Sequence, residues 1–176
     1  MHSFSELISW CTGFTLSSLE EVNKKTIEAL QTSGATVLVK TLQMINLQKT
    51  IMAVGMYSLF EAVIQDNLNC RDGFAETKKI LIQHGDTAII EQFTDLRLAV
   101  NVLKHGRGRS YDALVAKNGG TLQHYVKKPD EDFFNEGDVA EIMTLINVDN
   151  EFIHHCGDVI EEVSKIIMKM KPGTSF

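Results

Sequence analysis

The chain has 176 residues, of which 44% are hydrophobic, and this length and composition fit one folded domain and exclude a fibrous or disordered chain. Its 17 Lys and Arg against 23 Asp and Glu give a formal net charge of −6. That balance argues against a protein that coats nucleic acid through bulk positive charge, but it leaves room for a local phosphate site.

The cysteines and the apolar runs predict the compartment. Cys11, Cys70 and Cys156 are far apart and odd in number, so we expect reduced thiols and a cytoplasmic location rather than a disulfide framework. The first residues lack the pattern of a signal peptide. The longest apolar run, 51–60, has about ten residues, roughly half the length that spans a bilayer. We therefore expect one soluble domain over 1–176, with no membrane association.

Helix-forming residues fill the first 128 positions, which contain no proline. We predict an appended helix or loop over 1–30 and a bundle core over 35–171. The stretch 33–69 predicts one long helix or two helices joined near Gly55. Two further helices are expected, over 74–84 with Gly85 as its C-terminal stop and from 86 or 87 to 105.

The second half of the chain predicts a long irregular segment and a final helix. Four glycines and Pro129 make 106–134 irregular, with room for a short helix at 110–116 and an extended piece at 123–126. Apolar residues then keep a helical period over 139–171, with a bend or break near 147–150. The pattern predicts an all-α antiparallel bundle of about five main helices, with an elaborated loop before the last long helix.

The methionines Met44, Met52, Met56 and Met143 are expected to fill gaps in the core. A second interpretation places some of them at a dimer interface. The sequence alone leaves both interpretations open.

The most informative stretch for function is 95–111. On a helical wheel Arg97, Asn101, Lys104 and His105 fall within a stripe about 100° wide, opposite the apolar residues of the same helix. The stripe continues into Arg107 and Arg109, in a loop with glycines. Arginine holds phosphate oxygens in a fork, lysine adds a point charge, and histidine transfers protons near neutral pH, so the set suits a phosphodiester. An ordinary solvated helix face, with cations that meet the helix dipole, explains the same residues.

The pattern Arg97-xxx-Asn101-xx-Lys104-His105-Gly106, followed by Gly108 and Ser110, resembles the polar helix of HEPN-type proteins. These are small all-helical domains common in prokaryotic toxin–antitoxin and phage-defence systems. The resemblance covers about 35–171, and seven residues separate Arg97 from His105, a longer spacing than the family's motif has.

This resemblance implies a dimeric, metal-independent endoribonuclease that needs no cofactor. Arg97 and His105 from two protomers would line one shared cleft, with Asn101 in support and Lys104 stabilising phosphate charge. Arg107, Arg109 and Ser110 would position the RNA backbone. An antitoxin or another defence component would be the protein partner.

Two alternatives stand beside this hypothesis. Glu151-x-x-His154, with His155 nearby, has the spacing of a helical di-metal ligand pair, but no second such pair occurs, so we expect no metal site. A non-catalytic helical interaction or regulatory protein could use the same stripe to bind an acidic partner. In that case the arginine and histidine would be paired with acidic residues of the chain.

Overall fold

In the computed structural model, which describes residues 2–117, 119–131 and 137–176, the chain is a bundle of α-helices. The helices are α1 (Phe4–Leu30), α2 (Thr36–Leu68), α3 (Gly73–His84), α4 (Thr87–His105), α5 (Arg109–Val115) and α6 (Asn150–Met170). The predicted all-α fold is confirmed.

Side-chain caps fix where most of these helices begin. Ser3, Asp72, Asp86 and Asp149 each precede a helix and accept hydrogen bonds from backbone N–H groups of its first turn. Such caps satisfy N–H groups that have no partner inside the helix. At the other end of α3, Gly85 has φ of 88°, so the predicted glycine stop is confirmed.

The core forms around α6, which packs against α1, α2, α3 and α4. One continuous apolar stripe of α6 is buried: Phe152, Ile153, Cys156, Val159, Ile160, Val163, Ile166 and Ile167. Gly157 faces both α1 and α2, since its ideal Cβ position lies 3.9 Å from Met56 Cε and 4.0 Å from Thr12 Oγ1. The strong helical period of 150–170 therefore positions the whole bundle.

The two N-terminal helices form an antiparallel pair. The segment predicted as an appended helix or loop is the 27-residue helix α1, which buries Ile8 and Leu16 and stacks Phe4 on Phe60 with ring centroids 6.1 Å apart. Of the two alternatives for 33–69, the structure has one uninterrupted helix, because Gly55 lies within α2 without breaking it.

The predicted start of the last helix is wrong. Residues 139–149 are not helical, and α6 begins at Asn150. Lys127 N donates to Leu145 O at 3.0 Å and Asn147 N donates to Tyr125 O at 2.8 Å, around an antiparallel bridge between Val126 and Ile146. Ile146 and Val148 are buried at a spacing of two, which fits extended chain rather than helix.

Two smaller predictions about this region also need correction. Residues 123–125 form a 3₁₀ turn, so of the predicted extended piece at 123–126 only Val126 takes part in the bridge. The core role expected of Met143 and Met44 is wrong, since their side chains are 93% and 57% exposed, whereas Met56 is buried. Residues 118 and 132–134 of the predicted irregular segment lie outside the described residues.

Candidate functional site

A cavity of about 160 Å³ lies where α2, α4 and the start of α3 meet. A cavity of this size has room for several waters or a small polar group. Its lining is mostly polar: Tyr57, Ser58, Glu61, Asp72, Phe74, Arg97, Val100, Asn101 and Lys104. Three of the four residues predicted to be catalytic therefore share one cavity.

The sequence of α4 explains why these three residues lie together. Asp86 caps the helix by accepting from Ala88 N at 3.0 Å and Ile89 N at 3.2 Å, and the helix then buries apolar residues such as Phe93 and Leu96. Residues 97, 101 and 104 are spaced by four and three, so they occupy one face next to the buried one. Arg97 and Asn101 are half-buried, and Lys104 is exposed.

The cations of the cavity are not neutralised by direct contacts. Among the described residues, neither Arg97 nor Lys104 forms an ion pair or a side-chain hydrogen bond. Glu61 and Asp72 line the same cavity, so two carboxylates balance the two cations across it. One oxygen of Asp72 is already occupied, because Oδ1 accepts from Ala75 N at 2.8 Å. The cavity therefore suits a ligand that has both an anionic group and hydrogen-bond donors.

Close packing of α3 against α2 brings Asp72 to the cavity. A Cβ on Gly73 would lie 2.9 Å from Glu61 O and 3.1 Å from Ile64 Cγ2, so the side-chain-free glycine permits the approach. The sequence pattern did not point to Asp72 as a residue of the site.

Tyr57 is a cavity residue that sequence reasoning missed. Its side chain is 1% exposed, and its hydroxyl has no hydrogen-bond partner among the described residues. Burial raises the pKa of Tyr57 well above its ordinary value, so the hydroxyl is a neutral group that can donate a hydrogen bond. A buried polar group without a partner is costly, which makes this position notable at a polar cavity.

His105 occupies a different place from Arg97. It is the last residue of α4 and exposed, and it does not line the cavity. Eight residues along a helix correspond to about 12 Å of axial rise, so one chain does not bring Arg97 and His105 to the same phosphate. His105 instead follows Lys104 directly and faces solvent, and no ion pair ties it to a described acidic residue.

The loop after α4 carries the remaining predicted residues. Arg107 is exposed, and its guanidinium carbon lies 5.9 Å from the ring centre of Tyr111, a weak cation–π contact. Tyr111 is buried and donates its hydroxyl hydrogen to Lys127 O at 2.7 Å, which anchors α5. Arg109 is exposed at the first position of α5, and Ser110 is half-buried beside it.

An ion pair with a buried carboxylate ties the chain after α5 to α4. Asp95 is 2% exposed and pairs with Lys117, which also lies 3.5 Å from Glu91. Asp95 is therefore neutralised away from the cavity and does not compete for Arg97. The pair also holds the chain just after α5 against α4.

The other sequence candidates are not assembled into a site. Within the described ranges no group of three His, Cys, Asp or Glu residues is arranged to hold a metal ion. Burial lowers the pKa of His155, whose Nε2 has no partner in the described part of the chain. The neighbouring His154 is exposed.

Comparison of the chain with protein-family models, curated proteins and solved structures found no match. The similarity to HEPN-type domains therefore depends on the residues from Arg97 to Ser110 and stays a prediction. Over the described residues, no helix combines the length and apolar character needed to cross a bilayer.

Proposed function

We propose that this chain is a HEPN-like RNA-binding protein that cleaves RNA without a metal ion. The observation that supports it is a run of cations that form no ion pair within the described residues, in a chain with a net charge of −6. The run begins at Arg97 and Lys104 beside a polar cavity and continues through the exposed Arg107 and Arg109.

Each group has a role that follows from its chemistry. Arg97 and Lys104 stabilise negative charge on a phosphate, and Asn101 orients the nucleotide through its amide. Arg107, Arg109 and the hydroxyl of Ser110 hold the neighbouring backbone phosphates. These contacts fix the position of the strand and do not distinguish one base from another.

The proposed reaction is an internal transesterification of RNA. The ribose 2′-oxygen forms a bond to the adjacent phosphorus while the bond from phosphorus to the 5′-oxygen breaks. The proton of the 2′-hydroxyl passes to water, and protonated His105 donates a proton to the departing 5′-oxygen. The products are a 2′,3′-cyclic phosphate and a 5′-hydroxyl, with no metal or redox partner required.

The distance between Arg97 and His105 bears on how this reaction is assembled. The resemblance implies that Arg97 of one protomer acts with His105 of the partner subunit. Within one chain, Lys104 is the cation next to His105. Lys104 therefore supplies charge stabilisation to the same phosphate if a single chain is active.

The test is cleavage of end-labelled single-stranded RNA in the presence of a chelator. We expect the wild type to produce fragments with cyclic phosphate ends, and His105→Ala to lower the rate by a factor of about 10² or more. His154→Ala, which removes another exposed histidine, is the matched control and should leave the rate unchanged. RNA that stays intact with the wild type, or is cut equally by His105→Ala, contradicts the catalytic proposal.

A second candidate function is a non-catalytic interaction protein. The observation in its favour is the balance of Glu61 and Asp72 against the two cations of the cavity, which suits a protein segment bearing both charges. Under this alternative the wild type neither cleaves nor binds RNA. If the wild type binds RNA without cleaving it, RNA remains the proposed ligand and His105 has no enzymatic role.

A further inference from the structure

A large apolar surface is exposed on the two N-terminal helices. We define the α1–α2 apolar face by six side chains, three from each helix: Leu7, Trp10, Phe14, Met44, Leu47 and Ile51. Trp10 and Phe14 are 75% and 77% exposed, and the other four lie between 49% and 57%. If only water surrounded these positions, nothing would favour apolar side chains over polar ones there.

The six side chains form one continuous surface. The three residues from α1 fall within about 60° of one another on a helical wheel, and so do the three from α2. The helices are antiparallel, and a groove between them is lined by Phe14 on one side and by Met44 and Gln48 on the other. The two apolar ridges therefore lie side by side.

This surface is almost free of charge. Residues 7–19 contain no Asp, Glu, Lys or Arg, and residues 41–60 contain only Lys49, which is half-buried. On α2 the opposite face is also apolar, with Ala53, Met56 and Phe60 in the core. A helix that is apolar on both faces is typical of one that is covered on both.

The exposed area approaches what a stable dimer needs. An aromatic side chain presents about 150–250 Å², so Trp10 and Phe14 alone contribute roughly 300 Å². The four half-exposed aliphatic and thioether side chains bring the face to roughly 600 Å². The largest apolar patch of a typical monomer is about 300–600 Å², and each partner of a standard interface buries about 800 Å². The rim residues Cys11 and Ser18 supply part of the difference.

We propose that the α1–α2 apolar face is the interface of a homodimer, in which it meets the same face of a second copy. Each chain has a net charge of −6, so two copies repel over most of their surface. A two-fold axis brings the same residues of both copies together, so the interface must be complementary to itself. The uncharged face meets this requirement without placing like charges opposite each other.

Charge also disfavours a membrane as the occupant. Helices that lie on anionic lipid carry Lys and Arg on the polar face. The charged residues that flank the two stretches are Glu6 and Glu20 on α1 and Lys40 and Glu61 on α2, so three of the four are acidic. This acidic excess disfavours contact with anionic headgroups, whereas the matching face of a second copy is almost uncharged.

Dimerisation would place the interface beside the cavity. Ser58, which lines the cavity, follows Ile51 by seven residues and so lies roughly two turns further along the same side of α2. The inference does not rest on RNA binding, and its test contains no RNA. The failure of one proposal therefore leaves the other untouched.

The test combines sedimentation with fluorescence of Trp10, the sole tryptophan. We expect a dimer at micromolar concentration, with the tryptophan emission shifting to longer wavelength on dilution as Trp10 becomes exposed. Ile51→Lys places two lysines at the symmetric interface and should weaken the dimer by a factor of about 10² or more. Ile82→Lys is the matched control, because Ile82 is 57% exposed on α3 and Ile51 is 55% exposed.

Circular dichroism of both variants checks that they are folded, and Met44→Lys repeats the test at a second position of the face. A monomer at all concentrations, with emission typical of exposed tryptophan, contradicts the proposal. A dimer that survives both Ile51→Lys and Met44→Lys also contradicts it. Emission that shifts only when lipid vesicles are added to a monomer would assign the face to a membrane instead.

Discussion

Two charged residues only two positions apart on α4 have opposite surroundings. Asp95 is almost completely buried and neutralised by Lys117, whereas Arg97 lines an open cavity and has no ion pair among the described residues. A buried charge is tolerated when it is paired, and a half-exposed cation keeps enough water to stay unpaired. Asp95 therefore has a structural role, and Arg97 is available to a ligand.

The buried pair gives a prediction about stability. Lys117→Met leaves the buried Asp95 carboxylate without its partner and should lower the free energy of unfolding by about 3 kcal/mol. Urea denaturation measures the loss. Lys104→Met, which removes an exposed lysine with no ion pair in the described part of the chain, is the control and should stay within about 0.5 kcal/mol of the wild type.

Equal stability of Lys117→Met and the wild type would contradict the structural role of the pair. The double variant Asp95→Asn with Lys117→Met should recover part of the lost stability, because it removes the buried charge itself.

Helical spacing made part of the cavity predictable at the residue level. Positions 97, 101 and 104 share a face in any α-helix, so their proximity follows from the sequence. Tyr57 and Asp72 reach the same cavity through packing between helices that are distant along the chain. That packing depends on the close contact of Gly73 with α2, which has no local sequence signature.

Gly106 has an element-level role at the end of α4. Its φ of 73° and ψ of −146° lie in a region that only glycine adopts easily, and its N–H donates to Val102 O at 2.7 Å. Gly108 is extended, with φ of 161°, a value open to any residue. The first glycine therefore sets the direction of the loop that carries Arg107 and Arg109, and the second does not need to be glycine.

Gly106→Ala should cost about 1–3 kcal/mol of unfolding free energy through backbone strain. Gly108→Ala is the matched control. Neither added Cβ has a neighbouring atom within 4 Å, so the two variants differ in backbone strain alone. Gly108→Ala should therefore cost far less. Thermal or urea unfolding of the two variants measures the difference. Equal costs would contradict the proposed strain at position 106.

The helices that are capped locally were predictable, and the segment before α6 was not. Asp86, Gly85 and the apolar spacing of 87–105 all lie within one stretch of chain, so α3 and α4 follow from local signals. Residues 139–146 have a helical period, yet the backbone of 145–147 pairs with 125–127, about twenty residues earlier. That non-local pairing overrides the local preference.

At the scale of the whole molecule, charge and apolar area are segregated. The face of α1 and α2 from 7–19 and 41–60 has almost no charge, whereas the end of α4 and the following loop gather Lys104, Arg107 and Arg109. Composition shows neither feature, since the net charge is −6 and the hydrophobic content is ordinary. The fold creates both surfaces. We propose that a second copy binds the uncharged face and that RNA binds the cationic end of α4 and its loop.

The most direct measurement of the central claim is the salt dependence of RNA binding, followed by fluorescence anisotropy with the His105→Ala protein so that the RNA stays intact. Each phosphate contact with a single strand adds about 0.7 to the slope of log affinity against log salt concentration. Arg107→Gln with Arg109→Gln should therefore lower the slope by about 1.4. Lys24→Gln with Lys169→Gln removes the same charge from exposed sites elsewhere and should leave the slope unchanged. Equal losses in both double variants, or no salt-dependent binding at all, would contradict the account.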